Sequence, residues 1–472
     1  MTAADKGWAL DNTSLKGTYV IHDLQSAFGG VDPNGGWGVS DSAAFSRTEV
    51  TFDGNGTWSG TSTSNELERQ MTQITKDIGG DEVLSNKFNV LAPNPSSEAN
   101  SGTYTVSGDG TGTVTHSEGT EPFFVSADGS VILMGNRNYN SANHYAWVSM
   151  SVGVKKGSGL STASLKGTYV IHDLQSAFGG VDPNGGWGVS DSAAFSRIEV
   201  TFNGAGAWSG TSTNNELERQ INETLKDING DKVLSNSFNV LAPTPSSEAI
   251  SGTYTVSGDG TGTVTHSEGT EPLFVSADGS IILLGKREYN SANHYAWVSM
   301  GVGVKKGSGL STASLKGTYV IHDLQSAFGG VDPNGGWGVS DSTAFSRTEV
   351  TFNGAGAWSG TATDNELERL INEVTRDQAG DKVLSDKFSV LVPLSSSQAI
   401  SGTYAVGNDG TGTITHAEGT EPLFVSADGS IILLGKRDYN SANYYAWVSM
   451  GVGVKKTSIP RGMPWMPLLL DE

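Results

Sequence analysis

The chain has 472 residues, no cysteine, and 50 acidic against 29 basic side chains, a formal charge of −21. Disulfides, thiol catalysis and cysteine-ligated zinc or iron–sulfur centres are thereby excluded. A surface of this sign repels phosphate, which argues against nucleic acid and anionic lipid as partners. No run approaches the ~18 consecutive apolar residues of a membrane-spanning helix, and the opening MTAADKGWALDNTS lacks the apolar core of a signal peptide.

One stretch organises the chain. Ser14–Ser42 returns unchanged at Ser164–Ser192 and at Ser314–Ser342, a period of 150 residues marked by Trp37, Trp187 and Trp337. Solenoid repeats are shorter, ~20–50 residues, and cannot fold alone; a unit of this length can bury its own core. The expected domains are residues 10–156, 160–306 and 310–456, followed by a tail at 457–472. The joints, Lys155-Lys156-Gly157-Ser158-Gly159 and its copy at 305–309, span only ~12 Å as flexible chain. The expectation is therefore three modules strung in a row with limited freedom.

Within the first copy, Gly17 to His22 is rich in β-formers and reads as a strand. Asp32-Pro33-Asn34-Gly35-Gly36 is turn chemistry: Pro presets φ, and Asn and Gly accept positive φ. Phe45 to Phe52 alternates, with Thr48, Val50 and Phe52 on one face and Arg47, Glu49 and Thr51 on the other, the signature of a half-buried strand. Asp53-Gly54-Asn55-Gly56 turns the chain into a strand through Trp58. Asn65 to Ile78 is ambiguous: Leu67, Met71, Ile74 and Ile78 have helical spacing, whereas Asn229-Gly230-Asp231 in the second copy is a hairpin turn. The expectation leans to a long hairpin, with one short helix per repeat as the alternative. Strands then flank Gly108-Asp109-Gly110 and Ala127-Asp128-Gly129, and His144 to Val154 closes the unit. Eight to ten short strands at this spacing predict an all-β fold. Three tandem antiparallel up-and-down barrels fit best, because closure removes exposed edges; two-sheet sandwiches are the alternative.

Candidate sites are few. There is no nucleophile elbow, HExxH, P-loop or dinucleotide fingerprint, so no catalytic residue, metal or cofactor is assigned and the chain is not expected to be an enzyme. His22 and Asp23 recur in every copy, but strand neighbours face opposite ways, so they cannot line one site together. Glu66 and Glu68 share a face if their segment is a strand, as paired carboxylates or as solvated edge charges. The Asp-Gly turns lack the ligand density of calcium loops. Asp53 is replaced by Asn203 and Asn353, so its charge is dispensable. The tryptophans Trp37, Trp58 and Trp147, with Trp187, Trp208, Trp297, Trp337, Trp358 and Trp447, are core residues by default, and at a barrel mouth would line an apolar or sugar-binding pocket.

Gly35-Gly36-Trp37 early in an antiparallel unit, with Arg137 late in it, resembles the lipocalin-like (calycin) pattern. Trp187 with Arg287 and Trp337 with Arg437 repeat it, and Gly56-Thr57-Trp58 matches the motif equally well. The resemblance implies a barrel whose tryptophan packs on the late arginine at the closed end, and a capacity for small apolar ligands.

The unrepeated tail holds Ile459, Met463, Trp465, Met466, Leu468, Leu469 and Leu470, with Pro464 and Pro467 preventing a regular helix. Such side chains gain ~1.5–3 kcal/mol each on burial. The tail is therefore expected to pack on its own third module or to dock on another molecule, either a second copy head-to-tail or another surface protein. The reading from sequence is a non-enzymatic extracellular or cell-surface bacterial protein with a structural, adhesive or filament-forming role. Binding of a small apolar ligand or carbohydrate in each barrel is the alternative.

Overall fold

A computed structural model describes residues 9–28, 40–71, 74–76, 82–84, 88–117, 119–140, 145–178, 190–221, 224–226, 232–234, 238–267, 269–290, 295–328, 340–371, 374–376, 382–384, 388–392, 394–417, 419–440 and 445–457. Trp37, Trp187, Trp337 and the tail positions from Ile459 to Leu470 lie outside this set.

The first repeat runs β1 (Gly17–Phe28), β2 (Ser40–Phe52), β3 (Thr57–Met71), β4 (Ile74–Lys76), β5 (Glu82–Leu84), β6 (Phe88–Leu91), β7 (Ser96–Val106), β8 (Thr111–His116), β9 (Gly119–Val125), β10 (Val131–Asn140) and β11 (Tyr145–Lys155). Eight of these, β1, β2, β3 and β7 to β11, pair antiparallel in chain order, and β1 pairs with β11 to close the cylinder. β6 adds to the upper end of β3, and β4 with β5 forms a separate hairpin. The second and third repeats follow the same plan through Lys305 and Lys455. These are three closed eight-stranded up-and-down barrels, a lipocalin-like fold. The helical reading of Asn65–Ile78 is corrected: β3 carries Asn65 to Met71 as strand, and β4 follows. Leu67 pairs in register with Ala43 on β2 as an alternating strand position, and Ile78 lies outside the described residues.

Each barrel is plugged at one end. A 3-10 helix, Asn12–Leu15, is capped by Asp11, which accepts from the Thr13 N–H, and it drives Leu15 into the barrel, fully buried. Above it Tyr19, Phe52 and Tyr104 pack edge to face at 5.6 and 4.9 Å. The Tyr19 hydroxyl donates to the Gly129 carbonyl, fixing the Asp128 turn. That turn is a hairpin and not a calcium loop: the Asp128 carboxylate is used by Ser126 and Ser130. Asn203 caps its turn as Asp53 does, accepting from the backbone two and four residues on.

The three barrels do not hang in a row. They close into a ring around a shared core, which corrects the expectation of modules strung in a row. The outward side of β11, Ala146, Val148, Met150, Val152 and Val154, is buried with its counterparts from both other repeats in one cluster. The contacts are cyclic. Phe45 of the first barrel lies on Gly285 of the second, Phe195 on Gly435, and Phe345 on Gly135, each where a Cβ would overlap the ring. The His22 Nδ1 meets the Leu284 carbonyl at 3.1 Å, and His172 meets that of Leu434 at 2.9 Å; His322 faces Met134. At the rim, Lys156, Lys306 and Lys456 reach Asp259, Asp409 and Asp109 at 3.1 Å each. The last of each set joins repeat three to repeat one without a linker.

Candidate functional site

Alternation along the strands gives each barrel two chemically different surfaces. On β1, Val20, His22 and Leu24 face the ring core, whereas Ile21, Asp23 and Gln25 line the lumen. On β2 the predicted division holds: Thr48, Val50 and Phe52 point inward, and Glu49 outside pairs with Lys156 at 2.8 Å. β11 inverts the usual order. Its inward residues, Trp147, Ser149 and Ser151, line the cavity, and its outward ones form the interface.

The lumen is a cavity of about 320 Å³ in the first barrel and about 470 Å³ in the second. Near the plug its wall is apolar: Ile21, Val50, Phe52, Val114, Phe123, Ile132 and Met134. Above that it turns polar, with Asp23, Gln25, His116, Glu121, Ser149 and Ser151. Ser151 donates to the Asp23 carboxyl at 2.6 Å. Burial, reinforced by Glu121, raises that carboxyl to about 6; Asp173 and Asp323 are raised to about 7, by burial first and by Glu271 and Glu421 second. A carboxyl poised in this range donates a hydrogen bond when protonated and accepts when ionised. Beside it an imidazole and a carboxylate meet in each copy, His116–Glu121 at 3.6 Å, His266–Glu271 at 3.0 Å and His416–Glu421 at 2.9 Å. The buried interface histidine, by contrast, is pushed down to about 3 in His22 by desolvation and stays neutral.

Of the tryptophans singled out by sequence, Trp58 and Trp147 line the first lumen, and Trp208 and Trp297 the second. Trp358 is buried in the third barrel's inner cluster, and Lys436 stands over Trp447 at 4.8 Å. Glu66 and Glu68 do share a face of β3, the one that carries the lumen residues Ser62 and Ser64; burial first, and these two carboxylates after it, push the Tyr145 hydroxyl above its ordinary value. Tyr145 itself hydrogen-bonds Ser42 at 3.2 Å.

The tryptophan–arginine packing that the lipocalin-like resemblance implies involves Trp37, Trp187 and Trp337, which lie outside the described residues; the arginines themselves have other partners. Arg137 faces outward and donates from Nη1 to the Glu366 carbonyl of the third barrel at 3.1 Å. Arg287 does the same to Glu66 and Pro93, and Arg437 to Glu216 and Pro243. These side chains clasp neighbours, because the ring core leaves their strand face against another barrel. A further clasp went unread: Asp41 is held by Arg69 of its own barrel and by Arg369 of the third. The polar lumen residues were also unread, although Trp147-Val148-Ser149-Met150-Ser151 carries the signal. Its polar and apolar sets alternate cleanly, but the apolar set alone says only that one face is buried. Among the described residues no three acidic or histidine side chains converge to hold a metal, and no helix is long and apolar enough to cross a membrane.

No protein-family model matches the chain, and no curated protein matches it. Solved structures align weakly. Transferrin-binding protein B of Haemophilus parasuis aligns over 70% of this chain and 84% of its own, at 8% identity and a TM-score of 0.21. The isotype 1 protein of that name from serogroup B Neisseria meningitidis covers 94% and 77%, at 9% and 0.20. The translocator domain of the autotransporter NalP from Neisseria meningitidis covers 93% and 87%, at 9% and 0.14. At these scores the likeness carries no argument about function.

Proposed function

We propose that the chain is a non-enzymatic binding protein whose barrels each receive one small amphipathic molecule. The observation that carries this reading is the lumen itself: plugged at one end, apolar above the plug, and lined higher up by Asp23, Gln25, His116, Glu121, Ser149 and Ser151 around two tryptophans. Ligand sites are typically concave and mostly apolar, with a few convergent polar groups. The carboxyl of Asp23 and the imidazole–carboxylate pair would fix orientation, and the apolar wall would supply affinity. Repetition then serves to build the ring, whose interfaces use surfaces that one barrel alone would expose. The excess of acidic side chains and the absence of cysteine suit an extracellular or cell-surface setting, which labelling of intact cells with a membrane-impermeant reagent would test. The adhesive or filament-forming reading rests on the tail and is tested by deleting Ile459 to Glu472: an unchanged assembly state by light scattering would sink it.

Intrinsic tryptophan fluorescence of the full chain, titrated with small aromatic alcohols, tests the lumen. Saturable quenching is expected, and phenylalanine at Ser149, Ser299 and Ser449 together is expected to abolish it while far-UV circular dichroism stays unchanged. Quenching that survives in this filled variant would overturn the reading.

A further inference from the structure

The three lumens are not equivalent, and the difference lies where β10 passes the inner tryptophan. In the second barrel the Lys286 Nζ stands 5.0 Å from the centre of the Trp297 ring and 4.0 Å from Glu271, and pairs with Glu288 at 2.7 Å. In the third, Lys436 stands 4.8 Å from Trp447 and 3.9 Å from Glu421, with Asp438 at 3.5 Å. An ammonium over an indole face beside a carboxylate is a favourable arrangement, and more so when it is shielded from water. Both lysines are mostly buried, with side chains 10% and 11% exposed.

The first barrel keeps the aromatic and the acid but not the cation. Trp147 and Glu121 line its cavity, but the β10 position that is lysine at 286 and 436 is asparagine at 136. Position 136 is asparagine, whose side-chain N–H donates to Glu121 at 2.8 Å, and position 138 is asparagine where the other copies have Glu288 and Asp438. An asparagine is shorter than a lysine and uncharged, so no ammonium of the chain's own takes the place over Trp147 that the lysines take in the sister barrels, and Glu121 is met by the Asn136 amide and the His116 imidazole instead.

From this juxtaposition we infer that the first lumen selects a small primary amine carrying an apolar body. The ligand's ammonium takes the place over Trp147 and beside Glu121 that Lys286 and Lys436 fill in the sister barrels. Those lysines act as built-in occupants of the ammonium position, so barrels two and three take neutral molecules. The inference rests on the lumen reading above and narrows it to a ligand class for one barrel.

The test uses the full chain and two probes of one shape, 2-phenylethylammonium and 2-phenylethanol, followed by calorimetry and tryptophan fluorescence. The amine is expected to bind one per chain and more tightly than the alcohol, by about tenfold. Asn136→Lys should remove amine binding and leave the ring intact by size-exclusion chromatography. Lys286→Asn with Lys436→Asn should raise the amine stoichiometry towards three. Equal affinity for amine and alcohol, or amine binding untouched by N136K, would overturn the amine selectivity while leaving lumen binding standing. If neither probe binds and none of the aromatic alcohols does, the lumen reading itself fails and this inference with it.

Discussion

His22 and Asp23 are neighbours in the chain and opposites in environment, because a strand turns successive side chains to opposite faces. Both are pulled from their ordinary values by burial, but in opposite directions, and the consequences for stability oppose each other. His22, His172 and His322 fall from 6.5 to about 3, 4 and 3. Below pH 6.5 the unfolded chain takes up protons there that the folded ring refuses, so this set makes stability rise with pH across that window. Asp23, Asp173 and Asp323 rise from 3.8 to about 6, 7 and 7. Their contribution is fully present below about pH 4 and is lost as pH climbs through 6 to 7. Between about pH 4 and 6.5 the two sets therefore offset each other. Replacing all three aspartates with asparagine removes the falling set alone, and the denaturation midpoint should then climb more steeply with pH than it does in the parent. Parallel pH profiles for parent and variant would contradict the assignment. Of these residues, the inward or outward direction was legible in the alternation of the sequence. The partner of His22 was not, since Leu284 lies 262 residues away and nothing local points to it.

At the scale of elements, the sequence signals that held were those with a local physical cause. The Asp-Gly turns formed where carboxylates or amides could cap them, and the chain after β3 runs as strand β4 paired with β5 rather than as a helix. The 3-10 plug was missed because four residues offer no periodicity, although Asp11 and Ser14 form its capping box. Leu15 is fully buried at the barrel floor, so Leu15→Ala should destabilise the first barrel by about 2–5 kcal/mol. Chemical denaturation should show an earlier midpoint, and no shift would mean that the plug is not part of the core. β10 gives the complementary case of overpacking. Gly135 leaves room for the Phe345 ring and for no side chain. Gly135→Val should cost about 1–3 kcal/mol, and adding Phe345→Leu should restore part of it by returning volume to the contact. Additive losses in the double variant would show that the two positions do not share a surface.

The ring is the property of the whole molecule that the sequence concealed. Three near-identical copies read as three self-sufficient barrels, and a lone barrel needs an apolar interior and a polar exterior. Here β11 is apolar outside, where it builds the shared core, and largely polar inside, where it lines the lumen. A cavity-bearing barrel can hold polar residues inward because much of its apolar burial has moved to the surfaces between barrels. The joints contribute little to that arrangement. The contact of repeat three with repeat one has no linker, yet it carries the same phenylalanine–glycine packing, rim lysine–aspartate pair and arginine clasp as the linked ones. If contacts of this kind hold the linker-free interface, they are sufficient for the other two. The Gly157–Gly159 and Gly307–Gly309 joints are therefore dispensable once folding is complete. Site-specific protease sequences inserted between Ser158 and Gly159 and between Ser308 and Gly309 would sever them; Gly159 and Gly309 have positive φ and open space around them. After cleavage, light scattering on the eluting peak should give one particle with the mass of the uncut chain, and three fragments should appear only on denaturation. Separation into individual barrels under native conditions would show that the linkers, and not the shared core, keep the ring closed.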